Sequence, residues 1–169
     1  VLFLLTADSL AGVLPTIRSR CISFAVAPVS PEDCARYCTA QGVGAKDAAL
    51  YSALFDGHIG TVLAAARDEA RREQVDRALA LAKAAAAKDS YAAAVLLAAY
   101  EKDKAGASAL LADFRAVAAA GLRGSSHFPV EGETARKALG AADAAMQQIS
   151  AQVNPKIVLS VLAAKFRTF

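Results

Sequence analysis

The apolar and polar positions of this chain change character as they are followed from the first residue. Val1 to Leu5 is a continuous apolar run with the length and two-sided hydrophobicity of a buried parallel strand, although periodicity alone leaves a helix open. Thr6 to Ser9 turns polar, and "LAGVLPTIRSR" predicts one or two short helical turns with Pro15 near a helix start. "CISFAVAP", Cys21 to Pro28, is a second short β-prone run that ends at its proline. In "VSPEDCARYCTAQG", Ser30 is an expected N-cap and Pro31 suits the first helical position. Glu32 and Asp33 complement the positive helix end, and Gly42 and Gly44 close the helix. "AKDAALYSALFDG" gives another helix, with Leu50, Ala53 and Leu54 on one side and a stop at Gly57. A third begins near His58 and runs through "TVLAAARDEARREQ", so these three short helices are expected to form a small lid-like bundle.

From about Arg72 the helices lengthen and the turns become rarer. The pattern predicts one helix to Lys88, then Ser90–Lys102, Ala105–Leu122, Glu133 to about Gln152, and Pro155–Phe166. Ser90 and Asn154 are the expected caps, and "GLRGSSHFPVEGE" is the clearest loop. The C-terminal half thus reads as a bundle of about five helices.

Composition supports this class. Of 169 residues, 56% are hydrophobic and only 7% aromatic, so the apolar content is largely alanine, which loses least on entering a helix. The expected fold is mostly α. A net charge of +3, with acids and bases interspersed, fits solvated helix faces better than a nucleic-acid-binding stripe. The opening five apolar residues are too few for a membrane span or a signal core, and without methionine or a basic n-region they read as a strand entered midway in a longer chain. The three cysteines, Cys21, Cys34 and Cys38, point to free thiols in a reducing, cytoplasmic compartment. Cys34 and Cys38 share a helix face at i, i+4, but zinc needs further ligands, and His58 and His127 lack ligand-like spacing; buried apolar cysteine is the expectation, with no metal.

Isolated catalytic chemistry is not legible. The chain has no G-x-S-x-G, no H-E-x-x-H and no phosphate-cradling G-x-x-x-x-G-K-[ST]; "GVGAK" at 42–46 follows a helix and is a helix-terminating loop. Asp68 and Glu69 lie among arginines in a helical run and read as solvated. What remains is the stretch "LPTIRSRC", Leu14 to Cys21. Its two arginines are either ordinary solvated charge, or one of them is aimed at a phosphate on another molecule.

In order along the chain come an apolar run, Thr6, the proline-opened turn, "SRC", a small helical unit and a helical bundle. "FLLTADSLAGVLPTIRSRC" resembles the sensor 1 to SRC segment of the AAA+ clamp-loader subunits, which include bacterial DNA polymerase III delta prime and gamma/tau and the eukaryotic replication factor C subunits. The match across all of "PTIRSRC" carries the resemblance. It implies residues 1–24 as the C-terminal end of an AAA+ α/β core, 25–71 as a helical lid, and 72–169 as the collar that joins subunits. "AQVNPKIVLSVLAAKF" is similar to the last collar helix of delta prime. In gamma/tau the third lid helix opens Gly-Ser-x-Arg, whose arginine touches nucleotide phosphates; here "GHIGT" puts Gly60 in that place, which favours the delta prime branch over the ATP-hydrolysing one.

The same resemblance implies the site residues. Arg20 is an arginine finger acting in trans on ATP held by a neighbouring subunit, a task that suits a planar guanidinium able to donate to two phosphate oxygens. Ser19 and Cys21 direct it and pack the turn, and the "CISF" run is expected to anchor the turn in a sheet. Thr6 stands at the sensor 1 position, its role vestigial without its own nucleotide, and Arg18 is surface charge. No cofactor is expected on this chain; ATP and Mg belong to its neighbours. The implied partners are gamma/tau and delta clamp-loader subunits and, through the complex, the sliding clamp and primed DNA, with no membrane. The implied activity is support of ATP-dependent clamp loading within a DNA polymerase III holoenzyme, without a catalytic centre in this segment. The final helix, with Ile157, Leu159, Val161 and Leu162, offers more apolar groups than one narrow stripe needs, so part of it is expected to face another collar. The alternatives are a gamma/tau subunit and a free-standing helical scaffold unrelated to ATP.

Overall fold

The computed structural model describes residues 3–7, 9–27 and 29–169. It is mostly helical. In chain order the helices are α1 (Pro15–Arg18), α2 (Pro31–Ala40), α3 (Ala45–Leu54), α4 (Ile59–Arg67), α5 (Glu69–Ala86), α6 (Ser90–Ala98), α7 (Lys104–Leu122), α8 (Gly132–Ser150) and α9 (Pro155–Lys165). Helices α2, α3 and α4 pack on one another, and α5 to α9 form a bundle in which α7 lies against α5 and α8, and α6 against α9.

The starts of these helices follow from short polar side chains. Ser30 Oγ accepts from the Asp33 amide, Asp103 from Gly106 and Asn154 from Lys156, each satisfying a donor that the helix itself leaves open. Two caps were not expected from the sequence. Asp89 caps α6 by accepting from the Ala92 amide, which makes Ser90 the first helical residue. The expected continuous run from His58 to Gln74 is broken at Asp68, whose carboxylate accepts from Ala70 N and Arg71 N and begins α5. Asp68 is solvated as expected and is also a cap, and a new helix starts before Arg72.

Alanine lets the bundle helices approach closely. On α8, Ala135, Ala138, Ala142, Ala145 and Ile149 are buried at alternating three- and four-residue spacing, a stripe facing its neighbours. Larger side chains fill the middle: Leu110, Leu111, Phe114 and Val117 of α7 with Leu81, Leu97, Leu159 and Leu162. Phe166 stacks on Phe114 with ring centroids 5.8 Å apart and meets Phe169 at 4.8 Å. Each such fully buried Leu or Phe contributes about 1.5–3 kcal/mol relative to exposure. By length and composition α7 is apolar enough to cross a membrane, but half of that apolar stretch is buried within the bundle, which accounts for its hydropathy.

The two expected strands are not found. Among the described residues there is no strand: Phe3–Leu5 and Ile22–Ala27 lie outside regular structure, while Val1, Leu2 and Pro28 fall outside the described residues. A strand needs a partner for its alternate N–H and C=O groups, and among the described residues Phe3–Leu5 and Ile22–Ala27 are not paired with each other. Their apolar side chains are left in solvent, with Phe3 81%, Leu4 88%, Ile22 85% and Val26 93% exposed.

Candidate functional site

The "LPTIRSRC" turn is built by local hydrogen bonds. Pro15 opens the single-turn helix α1, the Ser19 amide donates to Pro15 O at 3.0 Å, the Arg20 amide to Ile17 O at 3.0 Å and the Cys21 amide to Arg18 O at 3.3 Å. Ser19 Oγ donates to Thr16 O at 3.2 Å, so it does tie the turn that carries Arg20. Cys21 is exposed. Both arginines are exposed, and among the described residues neither makes an ion pair or a side-chain hydrogen bond. The expected anchoring in a sheet is absent, because Ile22 to Ala27 are irregular and exposed. Arg20 is thus held by one helical turn with no buried residue. Thr6, also exposed, belongs to no regular element.

Gly60 is the second residue of α4, and a Cβ there would meet nothing within 4 Å. No crowding requires glycine at this position, so the missing side chain is a feature of the sequence rather than of packing. Cys34 and Cys38 are fully buried on one face of α2, as their spacing predicts. Burial, with the neighbouring Cys34 adding to it, pushes the Cys38 thiol above its ordinary value.

A second polar constellation, not singled out from the sequence, lies where α3, α5 and α7 meet. Arg71 donates to both oxygens of Asp113, with Nη1–Oδ2 at 2.5 Å and Nη2–Oδ1 at 2.6 Å, and Asp113 is 5% exposed. The same guanidinium lies over the Phe55 ring, 5.6 Å from its centroid. The hydrogen bonds to Asp113 raise the Arg71 pKa, so this charge is permanent. Outside it, Arg72 reaches Asp47 at 3.3 Å, and Arg123, capping α7, donates to Ala53 O at 3.0 Å with Asp56 at 3.7 Å. A signal for Asp113 was present: it shares the i, i+3, i+4, i+7 face with Leu110, Phe114 and Val117, where an unpaired carboxylate is untenable.

On α9, Val158, Leu159 and Leu162 are buried, while Ile157 is 59% and Val161 46% exposed. Tyr91 and Val95 of α6, the helix packed against α9, are exposed as well.

Comparison with protein-family models, with curated proteins and with solved structures finds no match to this chain.

Proposed function

We propose that this chain is the lid and collar part of a bacterial clamp-loader subunit of the delta prime kind, which supports ATP-dependent loading of a sliding clamp on primed DNA. The observation that carries the reading is the "PTIRSRC" turn, which leaves Arg20 exposed and unpaired among the described residues, followed by a three-helix cluster and a five-helix bundle in the order that the resemblance implies. Arg20 reaches ATP bound by a neighbouring motor subunit, and Gly60 leaves this chain's own lid without a phosphate-sensing cation. The exposed apolar residues Phe3, Leu4, Ile22, Phe24 and Val26 are those that an AAA+ core sheet would cover. ATP and Mg are held by the neighbours, and the work is cytoplasmic.

The collar reading is tested by assembly. Ile157→Asp with Val161→Asp places charge on two exposed positions and leaves the buried face of α9 intact. Sedimentation with gamma/tau and delta subunits is expected to show loss of the complex with helicity unchanged; a complex that survives both charges contradicts the collar assignment.

One observation favours a second reading. Among the described residues the Arg20 turn has no strand beside it, and a helical scaffold without any link to ATP requires none. On that reading the SRC stretch is ordinary solvated surface, and gamma/tau subunits do not bind the chain at all.

A further inference from the structure

The chain passes from α4 to α5 through a single residue, Asp68, beside which α3 also packs on α7 and the buried cores of the two parts meet. The Asp68 backbone is extended (φ −101°, ψ 113°); its amide still donates to Ala64 O of α4, while its carboxylate caps α5 through Ala70 N and Arg71 N. The end of one helix and the start of the next are thus fixed on either side of a non-helical pair of dihedrals. Across the joint run Arg72–Asp47, from α5 to α3, and Arg123 to Ala53 O and Asp56, from the end of α7 to the end of α3. Arg71–Asp113 is different in kind: both partners belong to the bundle, and it presents a fixed guanidinium against the half-buried Phe55 ring.

The part gripped by Arg123 is a tight turn. Asp56 (φ +51°) and Gly57 (φ +76°) turn through left-handed backbone, and a Cβ at Gly57 would sit 1.8 Å from Val29 O. The turn after α3 therefore packs closely on Val29, in the segment that leads into α2. The gripping side chains are solvated: Arg72 and Asp47 keep 44% and 42% of their surface, Arg123 and Asp56 43% and 59%. Pairs this exposed are individually weak and are screened by salt.

We propose that Asp68 is a hinge and that Arg72 and Arg123 form an electrostatic latch closing the three-helix unit onto the bundle, so that ionic strength sets how far the unit swings. Arg71 and Asp113 are the seat against which it closes. This device is independent of the clamp-loader reading, since it rests on contacts within the chain alone.

The test is a distance distribution between spin labels at Gln41→Cys on the three-helix unit and Gln147→Cys on α8, in a Cys21→Ser chain that keeps Cys34 and Cys38 buried. Raising ionic strength from about 0.01 M to about 1 M shortens the screening length from about 30 Å to about 3 Å. A narrow distribution at the low value is expected to broaden severalfold at the high one. The Arg72→Gln, Arg123→Gln double variant is expected to be broad at both, and the exchanged pair Asp47→Arg with Arg72→Asp to be narrow again at low salt. A distribution that stays narrow in the double variant with helix content unchanged overturns the latch. So does a native pairing that is indifferent to salt, a result that needs no latch substitution.

Discussion

Arg71 and Asp113, 42 positions apart, form a two-pronged ion pair in which the carboxylate is nearly dry and the arginine keeps 28% of its side chain in solvent. The pair closes α5 onto the core face of α7 at a site where Asp113 alone has no place. Asp113→Ala leaves a guanidinium without its partner, and Arg71→Met leaves a carboxylate among Leu110, Phe114 and Val117. Breaking a fully buried pair costs about 3–5 kcal/mol. With Arg71 partly solvated, Asp113→Ala is expected to cost about 2–3 kcal/mol and Arg71→Met at least as much. The double variant Arg71→Met, Asp113→Leu should recover most of the loss. Urea denaturation of the four proteins checks this, and additive single losses would show that the two residues act separately.

The cysteines should divide by exposure. Cys21 is open to solvent, and Cys34 and Cys38 are fully buried, so a thiol reagent is expected to modify one group quickly and two only on unfolding.

Alkaline pH probes the same burial. Burial first and Cys34 second raise the Cys38 thiol above its ordinary 9.0; burial first, then Asp47 and Asp76, raise the Tyr51 phenol above 10.0. A raised folded value means that the unfolded chain ionises first, so both groups favour the folded state fully below their ordinary values. Their contributions are lost as pH climbs through the folded ones. Melting temperature is expected to be insensitive to these groups at pH 7–8 and to fall from about pH 9 upward. Removing the thiol contribution with Cys38→Ala should flatten the first part of that fall.

Two helical glycines predict opposite outcomes. A Cβ at Gly121 would sit 2.1 Å from Val130 O, backbone that cannot turn aside, whereas at Gly140 it would meet nothing within 4 Å. Gly121→Ala is expected to destabilise by more than about 1 kcal/mol, and Gly140→Ala to stabilise by about 0.5–1 kcal/mol through helix propensity. Thermal melts of the two variants decide it; equal shifts would mean that the approach of Val130 to α7 is not tight.

Much of the helical layout was legible because its signals are local. Ser30 before Pro31, Asn154 before Pro155 and the positive-φ Gly42 and Gly57 mark helix ends by chemistry that acts within a few residues. Asp68 was harder, since an acid among arginines reads the same in a helix interior as at a cap until its backbone is seen. The two apolar runs failed for a different reason. "VLFLL" and "CISFAV" have strand composition, but a strand is a relation between segments, and composition does not supply the partner. The Arg20 turn was singled out through its motif; Ser19 bonds Thr16 O within it, and the run after Cys21 forms no strand. Arg71, Arg72 and Arg123 were missed because their partners lie 42, 25 and 70 positions away, beyond any periodicity.

We propose that Arg20 acts on a neighbour's ATP while Arg18, two residues away on the same exposed turn, does not. Arginine fingers contribute about 10³ to 10⁵ in rate, whereas an exposed charge contributes little. The direct measurement is DNA- and clamp-stimulated ATP hydrolysis by a clamp loader assembled with this subunit, with Arg20→Ala set beside Arg18→Ala and assembly confirmed for both. A sharp loss is expected for Arg20→Ala at the adjoining site, diluted in the total rate by sites that keep firing, with near-native hydrolysis for Arg18→Ala. Equal and small effects from the two substitutions would contradict it and return the turn to ordinary solvated surface.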